Sequence, residues 1–168
     1  MNRTDKAKVF AALHVPGDPL ILFNIWDPGS AQAVAKAGAK AIASGSASVA
    51  GAYGTEDGED VPMEFPLANA ARIVASVDVP VTIDFEGGYA VDPEEAAGNV
   101  QRLAAIGAVG CNFEDQVLGG QGMHDVDLQA RRIAAVRAAV GPDFFINART
   151  DYFLQAKPDA HDAALADA

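Results

Sequence analysis

The sequence predicts an α/β fold built on a parallel sheet, and three observations carry that prediction. Short apolar runs rich in strand formers alternate with helix-like stretches along the chain. The short runs are apolar nearly throughout, as strands covered on both faces are. The helix-like stretches begin at Asp or Asp-Pro and stop at Gly, as capped helices do.

Residues 5–14 read as a helix ahead of the first strand. ILFNIW (21–26) is strand one and ends at Asp27-Pro28-Gly29, where Asp27 suits an N-cap and Pro28 a first helical position. That helix stops at Gly38. KAIASGS (40–46) is strand two, and a polar, Gly-rich loop spans residues 47–62. A helix over 66–77 leads to strand three, VPVTIDFEG (79–87). Asp92 and Pro93 open a helix over 92–107, and AVGCNFED (108–115) is strand four. Asp125 or Asp127 caps a helix over 125–141, which Gly141-Pro142 ends. FFINARTD (144–151) is strand five, and residues 157–168 begin a further helix. Two architectures share this rhythm, a doubly wound open sheet and a (β/α)₈ barrel. The length of 168 residues points to the open sheet, since a whole barrel takes about 250 residues.

Bulk properties exclude several classes. The net charge of −11, from 23 acidic and 12 basic residues, lacks the basic stripe a nucleic-acid partner needs. The single cysteine, Cys111, offers neither a disulfide framework nor zinc spacing, which suggests a reducing cytoplasm. The first 18 residues are too polar and interrupted for a signal peptide, and no apolar run reaches a membrane span.

In either architecture, functional groups gather at the C-terminal ends of the strands. Ser44, Gly45 and Ser46 end strand two, and Asp57 follows in the long loop. Asp84 and Glu86 end strand three and, being two apart, are expected on one face. Glu114 ends strand four, close enough across about 4.8 Å of sheet to converge with them. Carboxylates gathered in a partly dry pocket either stay partly protonated or hold a cation. An all-oxygen set selects a hard ion such as Mg²⁺ or Mn²⁺. Arg149 ends strand five, either as the receptor for an anionic substrate or as the ion-pair partner of one acid. The Ser44–Ser46 segment reads as a tight turn, with or without backbone N–H groups that cradle an anion. The loop over 116–125 holds three glycines and is a candidate lid. His124 on it is an acid or base, or a surface or capping histidine. No lysine lies at a strand's C-terminal end, so Schiff-base chemistry is disfavoured.

Taken in order, SGSAS after strand two, Asp57, IDFEGGY, FEDQ and INARTD resemble the isocitrate lyase/phosphoenolpyruvate mutase superfamily, from about residue 23 to 153. The resemblance implies a TIM-type (β/α) barrel, homo-oligomeric, acting on small 2-oxo acids at a C–C or P–C bond. It implies Mg²⁺, with Mn²⁺ as the alternative, at Asp57, Asp84, Glu86 and Glu114, with Asp84 the direct ligand and the others acting largely through water. Glu86 stands where the family usually has Asp. The resemblance assigns Ser44, Gly45 and Ser46 to the substrate carboxylate and Arg149 to substrate binding and charge stabilisation.

The Lys-x-Cys-Gly-His motif of the family's lyases is absent from the loop after strand four, where Gly120, Gly122, Met123 and His124 stand. The mutase's Lys-Thr-Asn lid is absent too. The expectation is therefore a Mg-dependent carbon–carbon lyase or decarboxylase working through an enolate. A P–C bond hydrolase or mutase, or a non-catalytic remnant, is the alternative. Only about five βα units are visible, so residues 1–168 are expected to form one barrel domain, incomplete at its C-terminal end.

Overall fold

The computed structural model describes residues 1–118 and 122–155, together with 162 and 165. Its elements run α1 (Arg3–Ala12), β1 (Asn24–Ile25), α2 (Pro28–Lys36), β2 (Ile42–Ser44), α3 (Ser46–Tyr53), α4 (Glu64–Ser76), β3 (Val81–Asp84), α5 (Pro93–Ile106), β4 (Gly110–Glu114), α6 (Val126–Val140), β5 (Phe145–Arg149) and α7 (Tyr152–Gln155). The helix expected over 157–168 lies, apart from 162 and 165, outside the described residues.

The sheet has strand order β1-β2-β3-β4-β5, every neighbouring pair parallel. A doubly wound sheet reverses its strand order partway. Here the order never reverses, so the wall is that of a TIM-type barrel, five strands around. The open-sheet option drawn from length is thereby set aside.

The helix signals hold in detail. Asp27 Oδ1 accepts from Ser30 N at 2.7 Å, and Ser30 Oγ accepts from Asp27 N at 3.1 Å, a reciprocal cap ahead of Pro28. Asp92 Oδ1 caps α5 through the amides of Glu94 and Glu95. Of the two candidate caps for α6, Asp125 is the one used. Two elements differ from expectation. Strand one shrinks to two residues, because Ile21 and Phe23 have no partner strand and stay exposed. The loop read over 47–62 contains α3, whose small residues and side-chain-free cap at Gly45 give little helical signal.

Ile25, Ile42, Ile83 and Phe113 from the strands pack against Leu67 and Ile73 of α4, Val100 and Leu103 of α5 and Val136 of α6. Each such burial is worth about 1.5–3 kcal/mol. A smaller cluster closes the N-terminal ends of the strands. There Phe10 of α1 meets Phe145 edge-on at 5.2 Å, and the His14 ring stacks on Phe145 at 4.3 Å. The C-terminal ends are left for the functional groups. No described helix is long and apolar enough to cross a membrane.

Candidate active site

The strand register sets a polar layer across the C-terminal ends. Asp84 lies opposite Asn112, and Asn112 opposite Asn147. Asn147 Nδ2 donates to Asn112 Oδ1 at 2.9 Å, and Asn112 Nδ2 donates to Asp84 Oδ1 at 3.3 Å. Two residues further on, Glu114 pairs in register with Arg149. Period-two alternation puts these groups on one face of the sheet.

Asp84 is held from the other side by the Ser44–Ser46 turn. Ser46 N and Ser46 Oγ both donate to Asp84 Oδ2 at 3.1 Å, and Asp84 N donates to Ser44 Oγ at 3.0 Å. The carboxylate that this turn cradles is therefore the protein's own, placed at the positive end of α3. Gly45 N is occupied too, donating to Ile25 O at 3.2 Å. A Cβ at residue 45 would lie 2.7 Å from Asn24 Nδ2, so a larger residue there would force the Asn24 side chain to move.

Glu86 departs from the expected geometry. Strand β3 ends at Asp84, and Glu86 has a left-handed backbone, φ 49°. Alternation along a strand therefore does not set its direction. Its carboxylate is instead fixed by Glu59, whose amide donates to Glu86 Oε2 at 2.7 Å. Glu59 in turn accepts from Tyr89 N at 2.7 Å through Oε1. Asp57 is exposed, and its charge still acts on Glu86. Burial pushes the Glu86 carboxyl up to about 7; the Glu59 amide opposes the shift, and the charges of Asp57, Glu59 and Asp84 add to it.

Glu114 and Arg149 meet at 2.6 Å. Burial raises the Glu114 carboxyl, with Arg149 pulling the other way and Asp84 and Asp151 adding to the rise. Burial also works against the charge on Arg149. Its bonds to Asp151 and its pairing with Glu114 outweigh that and hold its pKa above the ordinary value. Of the two readings for Arg149, the structure shows the ion-pair partner of Glu114 and Asp151.

His124 lines a different cavity, with Glu59, Gly87, Gln116 and Arg132, and its amide donates to Asp115 O at 2.7 Å. The pocket opening on Ser44, Ser46, Asp84 and Glu86 does not include it. Burial, then the nearby Arg132 charge, lowers its pKa. Gly119, Gly120 and Gln121 of the expected lid lie outside the described residues.

The donor set suits a hard, water-rich cation. Among the described residues no three His, Cys, Asp or Glu side chains form a ready-made cage. Mg²⁺ needs none, since it keeps several waters and takes one or two carboxylates. Glu114 Oε1 is buried and accepts no hydrogen bond, although Arg149 is close. Burial, with the charge of Asp84 adding in both cases, holds Glu86 and Glu114 above the usual carboxylate range. A bound cation would favour the charged form of both carboxyls.

The family model for phosphoenolpyruvate phosphomutase matches residues 10–168. The chain belongs to this family, within the isocitrate lyase/phosphoenolpyruvate mutase superfamily. An uncharacterised family relative from Mycobacterium tuberculosis is 34% identical over 151 residues, covering 89% of this chain and 56% of its own. The 2-methylisocitrate lyase of Escherichia coli is 29% identical over 160 residues, 90% of this chain and 54% of that one. Among solved structures, a provisionally assigned phosphonomutase of Burkholderia cenocepacia superposes with a TM-score of 0.93 at 46% identity, over 98% of this chain and 66% of that one. A phosphonopyruvate hydrolase solved with oxalate and Mg²⁺ shares the fold, with a TM-score of 0.81 at 22% identity, over 92% of this chain and 54% of its own. The chain thus spans between about half and two thirds of these relatives.

Within this phosphomutase-family frame, sequence reading missed Glu59, Asn112, Asn147 and Arg132. The two asparagines were findable, each lying two residues before a strand-end charge. Glu59 had no periodic signal, because it acts from a loop with a left-handed backbone, φ 61°.

Proposed function

We propose that this chain carries the site of a Mg²⁺-dependent lyase or decarboxylase that cleaves a C–C bond of a small 2-oxo or 2-hydroxy acid. The observation that carries the reading is the meeting of Arg149 with Glu114, two residues beyond the Asp84–Asn112–Asn147 layer, at the C-terminal ends of β3 to β5. One fixed cation beside several carboxylates suits an anionic substrate held with a divalent ion.

Asp84, Glu86, Glu114 and Asp57 would hold Mg²⁺, Asp84 directly and the others largely through water; Mn²⁺ is the alternative. When bound, the ion supplies Lewis acidity to the substrate's carbonyl oxygen. Ser44 and Ser46 keep Asp84 oriented, and the Ser44–Gly45–Ser46 turn would border the substrate carboxylate beside Asp84. Arg149 Nη1, which bonds no other described residue, is left to face the negative charge that develops as the bond beyond C3 breaks. The carbon beyond C3 leaves as CO₂, or as a carbonyl compound whose hydroxyl has given up its proton; the bonding pair passes into the enolate of the 2-oxo acid, which then takes a proton from water at C3. His124, placed at the neighbouring cavity, is kept as a candidate acid or base for a step near the loop over 116–125. Residues 1–168 are taken as one barrel domain; homo-oligomer formation and a cytoplasmic location accompany this reading.

The similarity to the Burkholderia phosphonomutase favours a second reading, P–C bond chemistry on a phosphonopyruvate-type substrate. A Mg²⁺ assay for pyruvate release from oxaloacetate and from phosphonopyruvate separates the two. Release from oxaloacetate, lost in Asp84→Ala, supports the first reading. Release from phosphonopyruvate alone supports the second. A folded protein that releases pyruvate from neither has no such activity, and the non-catalytic alternative then stands.

A further inference from the structure

Arg132 is fully buried in α6, and among the described residues its guanidinium bonds to carbonyl oxygens and not to a carboxylate, although the charges of Glu59 and Asp115 act on it. Its Nη1 donates to Glu114 O at 3.3 Å and to Gln129 Oε1 at 2.6 Å. Its Nη2 donates to Gly87 O and, at 2.9 Å, to Ala90 O. Its planar face lies 4.8 Å from the centre of the Phe113 ring. One side chain therefore ties the end of β4, at Glu114 itself, to the turn that follows Glu86.

That turn needs holding. Glu86 and Tyr89 are non-glycine residues at φ 49° and 58°, with Gly88 at 78° between them. Left-handed backbone costs about 1–3 kcal/mol per non-glycine residue and persists only where its surroundings enforce it. The enforcing contacts are Arg132 on the carbonyls of Gly87 and Ala90, Asn99 on Gly88 O at 2.9 Å, and Glu59 on Tyr89 N. Glu114 N also donates to Glu86 O at 2.9 Å, so the main chain joins β4 to the start of the turn, while Arg132 joins β4 to its far side at Gly87 and Ala90. Stability alone is a weak reason for such a residue, since well-packed apolar side chains commonly replace buried charges without loss.

We propose that Arg132 is a positioning residue: beside the main-chain bond between Glu114 and Glu86, it holds the turn after Glu86 against β4, and through the orientation of the Glu86 carboxylate it sets the affinity of the site for a divalent cation. This rests on the metal reading above. It gives α6 a part in the site although none of its side chains belongs to the acid cluster.

The test compares Mn²⁺ binding, followed by the electron paramagnetic resonance of free Mn²⁺, with amide hydrogen exchange of residues 86–90 in metal-free protein. Arg132→Lys is expected to weaken Mn²⁺ binding at least about ten-fold, the usual cost of losing a residue that orients ligands. It is also expected to speed exchange over 86–90. Leu103→Ala, a core truncation in α5, serves as the structural control and should lower Tm while leaving both readouts unchanged. Folded Arg132→Lys with wild-type affinity and exchange overturns the proposal. So does Leu103→Ala reproducing both changes. If Arg132→Lys does not fold, Gln129→Ala removes the brace on Nη1 together with the bond from Gln129 Nε2 to Glu114 O and must show the same two changes at smaller amplitude; wild-type values there overturn the proposal. If wild-type protein binds no Mn²⁺, the metal reading fails, and with it the claim about cation affinity. Faster exchange over 86–90 would then still sustain the positioning of the turn, and unchanged exchange would overturn that as well.

Discussion

Asp151 grips Arg149 in a fork: Nε donates to Oδ1 at 2.8 Å and Nη2 to Oδ2 at 3.1 Å. Asp151 is itself buried, and its amide donates to Asp115 Oδ1 at 2.9 Å. The arginine proposed to bind substrate is thus oriented by one acid while it faces another. Asp151→Asn keeps the shape and removes the charge. Hydrogen bonds to charged groups contribute about 1.5–3 kcal/mol, so unfolding free energy should fall by up to that amount. Activity on a 2-oxo acid should fall further than stability alone explains, with KM rising as Arg149 loses its orientation. Steady-state kinetics beside a denaturant titration checks this, and unchanged KM would remove Asp151 from the site.

Metal should stabilise the fold by mass action. At one hundred times Kd, a ligand that binds only the folded chain adds about 2.7 kcal/mol. Mg²⁺ should therefore raise Tm, oxalate with Mg²⁺ should raise it further, and a chelator should reverse both. In Asp84→Ala neither addition should move Tm.

Glu86 makes the metal-free protein sensitive to pH. Its folded pKa, about 7, lies above the ordinary 4.5, so the folded state binds the proton more tightly than the unfolded state. Above pH 7 the buried carboxylate is charged at a cost of about 3 kcal/mol. That cost is relieved as pH falls from about 7 to about 4.5. Stability without metal should rise across that window as acid is added, and Glu86→Gln should flatten the rise. Denaturant midpoints at several pH values measure it.

Cys111 is fully buried in β4, and burial pushes its thiol up to about 12. A thiol reagent at pH 8 should leave the native chain unmodified and take up one equivalent in denaturant. Labelling at a native rate equal to the denatured rate would contradict the packing of β4 between the helices and its neighbours.

Gly88→Ala tests the turn from the backbone side. Its φ is 78°, and a Cβ there would lie 2.8 Å from Phe113 Cε2, a buried ring with little room to move. Left-handed strain and the clash together should cost about 1–3 kcal/mol. A denaturant midpoint equal to wild type would show that the turn is not so confined.

Most of the fold could be read from the residues because its signals are local. Asp27-Pro28, Asp92-Pro93 and Asp125 announce helices through bonds to amides two or three positions away. Strand order is a non-local property, and periodicity alone could not separate a barrel wall from an open sheet. The candidate site divides in the same way. Asp84, Glu114 and Arg149 stand at strand ends, where chain position predicts location. Glu86 and Glu59 take their places from left-handed backbone, which no periodic pattern encodes. Arg132 reads in sequence as an ordinary helix arginine, and its burial depends on contacts 42 and 45 residues away.

The strand β5 pairs, among the described residues, only with β4, and Asn147 and Arg149 lie partly open to solvent beside that free edge. Water there sets the local dielectric. Two unit charges 4 Å apart attract by about 1 kcal/mol in bulk water and about 4 kcal/mol where the effective dielectric is near 20. Any strand that came to lie along β5 would dry this edge and strengthen every charge interaction of Arg149 several-fold, without moving an atom of the site.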